Sequence, residues 1–156
     1  MSLLLEPAAL ASRSDVARGT LAPLAAGLRR ELEPLLTGAI EIPREKALLS
    51  RTGGRCPQDG TFLRFDPLAP RHVCPRCDTE VAGVLHDRFR PYWYQLWLAE
   101  RVLHAAVLGA LLDDAECRQA AWRVLDAYAD QYLAYPNRDN VLGPSRPFFS
   151  TYLASI

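Results

Sequence analysis

The residues best suited to chemistry in this chain are Cys56, Cys74 and Cys77, which sit in two near-copies of one short motif. The first copy reads Cys56-Pro57-Gln58-Asp59-Gly60-Thr61 and the second Cys74-Pro75-Arg76-Cys77-Asp78-Thr79. In each, a Cys-Pro pair is followed by two residues, a turn former and a threonine, the form of paired metal knuckles on a small ribbon. Zinc in a structural site takes four tetrahedral ligands and favours thiolate. A C-x₂-C turn points Cys74 and Cys77 at one ion, and the opposite knuckle brings Cys56 as the third ligand. The fourth place has two claimants. Asp59 stands where the first copy would otherwise need a cysteine, and His72 lies two residues before Cys74. His86 is more distant. A catalytic zinc also needs a base and a cleft, which a proline-bound knuckle does not offer. The expected cofactor is therefore structural zinc, and without it three thiols stand open to oxidation.

The elements that must position these residues divide the chain into three. Residues 1–48 read as a helical arm: Pro23 and Pro34 bracket a stretch in which Leu24, Leu28 and Leu32 recur at helical spacing. Pro34 should end or kink that helix unless it lies in a first turn. Residues 49–90 form a zinc-ribbon-like β module, with short strands expected at 61–65 and 79–84. That module is too small to bury a core of its own, so it needs a metal or packing on helices. Residues 91–156 read as a helical hairpin and the start of a further helix. Pro91 suits a helix start, and Leu96, Ala99, Leu103, Ala106 and Ala110 stack on one face. Asp113 and Glu116 have capping-box spacing. Cys117, Ala121, Val124, Leu125, Tyr128 and Tyr132 line the next helix, which Pro136 stops. Cys117 falls on that apolar face and reads as a core residue. The last stretch, Phe148, Phe149, Tyr152 and Leu153, opens an amphipathic helix that needs a partner, and the expectation is that the natural protein continues.

The 156 residues suffice for one ordinary domain, and 49% apolar with 23% charged residues is a globular composition. The formal net charge is zero, so nothing favours nucleic acid or an anionic membrane as the main partner. Arg51, Arg55, Arg64, Arg71 and Arg76, with Phe62 and Phe65, would serve a nucleic-acid-binding ribbon, but Asp59, Asp66, Asp78 and Glu80 dilute their field. Lys46 is the only lysine. No basic stretch precedes an apolar run at the N-terminus, so a cytoplasmic location is the default reading, with export left open. No apolar run is long enough for a membrane span.

The joined signal of Cys56-Pro57, Gly60, Asp66-Pro67, Cys74-Pro75 and Cys77, the helix over 94–112 and the Tyr128-Ala129-Asp130 stretch resembles the N-terminal part of the heparinase II/III-like, alginate-lyase-like polysaccharide lyases. The resemblance covers about residues 50–156. It implies a mainly α fold, antiparallel helix hairpins of an incomplete (α/α) toroid with the ribbon inserted, and β-elimination on a uronic-acid polysaccharide in the complete protein. The catalytic motifs of such enzymes lie in later helices and a following sandwich, so no catalytic residue carries over and the chain alone is expected to be inactive. The resemblance also implies part of a sugar groove. Asn137, Arg138, Asn140 and Arg146 would meet carboxylate or sulfate groups, Tyr132 or Tyr135 would stack on a sugar ring, and His104 reads either as a groove residue or as a core histidine. The same polar loop residues equally suit helix capping. An acidic polysaccharide and a second copy of the chain are the expected partners. The alternative function is a zinc-ribbon and helical-hairpin module that binds another protein.

Overall fold

The computed structural model describes residues 6–37, 40–44 and 52–134. Among them are five helices and one small antiparallel β hairpin, a mainly helical fold: α1 (Pro7–Arg18), α2 (Ala22–Glu31), α3 (Glu33–Leu36), β1 (His72–Val73), β2 (Glu80–Val81), α4 (Val84–Leu111) and α5 (Ala115–Tyr132). The chain divides into two compact units, one of residues 1–42 and 99–130, the other of residues 43–98 and 131–156. Helix α4 contributes its first half to the latter and its second half to the former.

In the first unit, prolines open helices rather than break them. Pro7, Pro23 and Pro34 all occupy first-turn positions of α1, α2 and α3, where the missing N–H would have no partner inside the helix. Pro34 thus separates α2 from α3. The core holds Leu32, Leu35, Ala105, Leu108, Cys117 and Ala120, all nearly or wholly buried. Each fully buried leucine contributes on the order of 2 kcal/mol. The ion pairs around this core are partly solvated and worth less each, so their role is register. Arg29 holds Asp114 at 2.8 Å and also Glu116, Arg101 holds Glu31 at 3.1 Å, and Ser14 Oγ donates to the carbonyl of Leu111.

The turn before α5 differs from the capping box at Asp113. Asp113 takes a left-handed backbone, φ 60°, and Asp114 is the cap: its Oδ1 accepts the N–H of Cys117 at 3.0 Å. Arg118 then reaches back to the carbonyl of Gly109 at 2.9 Å and to the Asp113 carboxylate at 2.6 Å.

Helix α4 also departs from expectation, at both its start and its face. It begins at Val84, not at Pro91, which lies inside the helix. The first turn forms because the carbonyl of Gly83 accepts the N–H of Asp87 at 2.8 Å. An interior proline costs about 3 kcal/mol against alanine, and the packing of this half of α4 on the ribbon, through a different face of the helix, offsets that cost. The buried side carries Leu98, Val102, Ala105 and Leu108. Leu96, Ala99, Leu103, Ala106 and Ala110, the expected inner stripe, are exposed. Two neighbouring stripes of α4 are both apolar, so periodicity alone does not say which one faces inward.

Candidate metal centre

The two knuckles repeat one backbone geometry. In the first, Cys56 N–H donates to Thr61 O at 2.8 Å and Gly60 N–H donates back to Cys56 O at 2.9 Å. In the second, Cys74 N–H donates to Thr79 O at 2.9 Å and Asp78 N–H to Cys74 O at 3.0 Å. Gly60 and Asp78, at matching positions, both have positive φ, 73° and 55°. This is why the motif needs a turn former there: glycine adopts that conformation freely and Asp tolerates it. A second match lies at sulfur. The N–H of Gln58 points at Cys56 Sγ and that of Arg76 at Cys74 Sγ, each at 3.4 Å.

With the knuckles superposable, Asp59 occupies the place that Cys77 holds in the second copy. The ligand atoms of Cys56, Asp59, Cys74 and Cys77 all lie within 4.8 Å of one another. Cys56 Sγ and Cys77 Sγ are 3.6 Å apart, and the Asp59 carboxylate oxygens are 3.6 and 3.7 Å from Cys74 Sγ. A tetrahedral zinc with bonds of about 2.3 Å to sulfur and 2.0 Å to oxygen has edges of about 3.8 Å between sulfurs and 3.5 Å between sulfur and oxygen. The Cys56–Cys77 and Cys74–Asp59 spacings match such edges.

The electrostatics of the four differ. The backbone N–H of Thr61 donates to Asp59 at 2.9 Å and holds its carboxyl below the usual range, so it stands ready as an anion. Burial pushes the Cys56 thiol up. The hydroxyl and backbone N–H of Thr79 pull the Cys77 thiol down. Cys56 and Cys74 are buried, whereas Cys77 is exposed.

His72 lies outside this cluster. It is buried, with Nδ1 2.8 Å from His86 Nε2 and Nε2 3.1 Å from the carbonyl oxygen of Asp66. His86 Nδ1 in turn sits 3.1 Å from the Asp87 carboxylate. A carbonyl and a carboxylate accept only, so all three contacts are hydrogen bonds when the pair holds three protons on its four nitrogens. Burial, followed by the neighbouring His86, lowers the pKa of His72. Both rings are committed to each other and have no nitrogen to offer the cysteines.

The ribbon packs on the first half of α4. Leu63, Cys56 and Cys74 form a buried cluster against Val81 and Trp93. His72 stacks on Phe65 with ring centres 5.3 Å apart and meets the edge of Trp93 at 5.4 Å, and Phe89 meets Trp93 at 5.0 Å. His86, Phe89 and Trp93 share one face of α4, at i, i+3 and i+7. Gly53 and Gly54 lie against them: a Cβ on Gly54 (φ 74°) would come within 2.3 Å of the Trp93 ring. The sequence reading passed over this packing, although the Gly53-Gly54 pair and the i, i+3, i+7 aromatic spacing were its signals. Isolated bridges Arg55–Phe62 and Arg64–Val73 replace the longer strand expected at 61–65, and β1 pairs His72 with Val81 and Val73 with Glu80.

Of the ribbon arginines, Arg55 lies 3.7 Å over the Phe62 ring and donates to Gly60 O, and Arg71 pairs with Glu80 at 2.7 Å. A cavity of about 420 Å³ beside the first knuckle is walled by Gly54, Cys56, Leu63, Val81, Leu85 and His86, among others. Among the described residues its one histidine, His86, has its ring nitrogens within hydrogen-bond distance of His72 and the Asp87 carboxylate.

The remaining candidates are dispersed. His104 is half-buried, and its Nδ1 accepts from Arg101 at 3.0 Å. Tyr132 is exposed at the end of α5. Tyr135, Asn137, Arg138, Asn140 and Arg146, like the aromatic stretch from Phe148, lie outside the described residues. Cys117 is wholly buried, and burial pushes its thiol up to about 11, which makes it inert.

Fold and site together define a mainly helical protein with a small antiparallel β hairpin beside a four-membered cluster of metal-ligating side chains. No protein-family model, curated protein or solved structure matches the chain. Among the described residues, no helix is long and apolar enough to cross a membrane.

Proposed function

We propose that this chain is a zinc-clipped, mainly helical module that binds another protein, with the ion held by Cys56, Asp59, Cys74 and Cys77. The observation that carries the reading is the gathering of three thiols and one carboxylate within 4.8 Å of one another, with the Cys56–Cys77 and Cys74–Asp59 spacings at 3.6 Å, by two knuckles of matching backbone geometry. The ion's role is structural. It ties two short turns whose apolar content is too small to hold them, and among the described residues His72 and His86 are turned to each other.

The binding half of the reading rests on exposed apolar side chains in regular helices. Leu103 and Val107 on α4, and Trp122 and Leu125 on α5, are 61%, 42%, 69% and 50% exposed. A contiguous apolar patch on a helix face marks an interaction surface, and Leu103 with Val107, and Trp122 with Leu125, are each neighbours at helical spacing. Closed homo-oligomers are the commonest assemblies of soluble chains, so a homo-oligomer is the first association to test.

The test is zinc per chain by elemental analysis, with thermal melting, on the wild type and Cys77→Ser. One zinc per chain, lost together with melting temperature in the variant, supports the clip. A metal-free wild type with an unchanged melt in the variant overturns it.

The toroid and lyase reading is a separate proposal that rests on the sequence resemblance alone. It would make this chain the scaffold and part of the groove of a larger enzyme. Binding of an acidic polysaccharide that weakens in Arg138→Ala and Arg146→Ala would support it, and equal binding by the variants would count against it.

A further inference from the structure

The four ligands are unequal in access, and this has a chemical consequence. Cys74 is fully buried and Cys56 is 2% exposed, while Cys77 stands exposed at the tip of the second knuckle. A small oxidant that must touch sulfur therefore meets Cys77 first. Across the site, in the other knuckle, Cys56 Sγ lies 3.6 Å from Cys77 Sγ, while Cys74, in its own C-x₂-C turn, sits fully buried beside the Asp59 carboxylate. A disulfide needs about 2.0 Å, so closing the gap takes a movement of about 1.5 Å by two side chains on short turns. Asp59, the fourth ligand, is an oxygen and has no sulfur to oxidise.

We infer that Cys77 is a peroxide-reactive site and Cys56 its resolving partner, so that a hydroperoxide converts the metal clip into a cross-knuckle disulfide and releases the ion. The inference rests on the zinc reading above and deepens it. In the first step the Cys77 sulfur attacks one peroxide oxygen; an S–O bond forms, the O–O bond breaks, and hydroxide leaves with the electron pair and is protonated to water. In the second, the Cys56 sulfur attacks Cys77 Sγ; the S–S bond forms, the S–O bond breaks, and a second hydroxide leaves and is protonated. Two thiolates, one hydrogen peroxide and two protons give one disulfide and two waters. The sulfur pair loses two electrons and the peroxide oxygens gain them. Cys74 and Asp59 then remain as the only ligands, too few for a structural zinc. The new bond spans the same two knuckles that the ion had joined, so the ribbon stays closed. A thiol reductant with zinc restores the first state.

The experiment counts zinc in the purified full chain, then adds hydrogen peroxide. Zinc release is followed with a chromogenic chelator, and disulfides are mapped by non-reducing peptide mass spectrometry. The expected result is one zinc released per disulfide, the link joining Cys56 to Cys77, and full recovery with dithiothreitol and zinc. Cys117→Ser, which alters only a buried thiol away from the site, should behave as wild type. A chain that purifies without zinc contradicts the metal reading itself. A zinc-loaded chain that keeps its ion under peroxide, or releases it with Cys74 linked to Cys77, or with Cys77 carried to the sulfinic acid and no disulfide, overturns the present inference and leaves the metal reading standing.

Discussion

At the scale of single residues, side chains equivalent in sequence pattern take different duties according to what surrounds them. Asp59 and Cys77 hold matching positions in two matching turns, yet one offers oxygen and the other sulfur. Replacing Asp59 with Cys should give a four-thiolate site and raise zinc affinity, read by competition with a chelator of known affinity; a weakened site would show that the carboxylate is not aimed at the ion. Away from the metal, the charge of Asp114 is held by two partners, the Cys117 N–H and Arg29. The Cys117 N–H and, after it, Arg29 hold its carboxyl below the ordinary aspartate value of about 3.9. A depressed carboxylate stabilises the fold fully above its unfolded value and loses that contribution as pH falls through the folded one. Asp114→Asn keeps a capping oxygen and removes the titration. The melting temperature of the wild type relative to this variant should be constant from pH 7 to about 5 and fall below about pH 4; a difference independent of pH would contradict the assignment.

At the scale of elements, the decisive packing is that of the ribbon on the first half of α4. Gly54 and Gly60 separate two demands that glycine meets. Both have positive φ, but a Cβ at Gly54 collides with Trp93 and Phe89, whereas at Gly60 it meets nothing within 4 Å. Gly60→Ala should therefore cost about 1 kcal/mol, the left-handed backbone penalty alone. Gly54→Ala should cost about 2–4 kcal/mol, overpacking added to strain. Denaturant melts of the zinc-loaded variants check this, and equal costs would mean that the aromatic face of α4 does not press on the loop.

This is also the scale at which the sequence was partly legible. That Cys56, Asp59, Cys74 and Cys77 gather in one cluster could be read from their motif, because knuckle geometry is local and repeats with it. The prolines in the first turns of α2 and α3 could be read as helix boundaries for the same reason. The start of α4 could not: Pro91 is a good first-turn residue and a poor interior one, and the tertiary packing of His86, Phe89 and Trp93 that holds this part of the helix is not written in the local sequence. The buried face of α4 was hidden by its composition, since Leu98 and Leu103 are equally apolar and only tertiary contacts tell them apart. His72 was a plausible ligand by spacing, but spacing carries no information about His86, which engages its ring.

At the scale of the whole molecule, the two compact units should respond differently to the ion. The unit of residues 43–98 depends on the clip, whereas the unit of residues 1–42 and 99–130 has its own core of Leu32, Leu35, Ala105, Leu108 and Cys117. Chelation should therefore speed amide exchange across 52–82 first and leave α2 and the buried turns of α5 protected; uniform loss of protection would show one cooperative unit instead. The exposed apolar residues make a second prediction. If a second copy covers them, Leu103→Glu and Trp122→Glu should shift sedimentation toward the monomer without lowering the melting temperature of the monomer, and an unchanged monomeric wild type would direct the search to a different protein partner.

The central claim is the identity and arrangement of the metal centre. X-ray absorption at the zinc edge, on protein with one zinc per chain, tests it most directly. The account predicts three sulfur ligands at about 2.3 Å and one oxygen at about 2.0 Å, with a fourth sulfur replacing the oxygen in Asp59→Cys. A shell containing imidazole nitrogen, or fewer than three sulfurs, would contradict it.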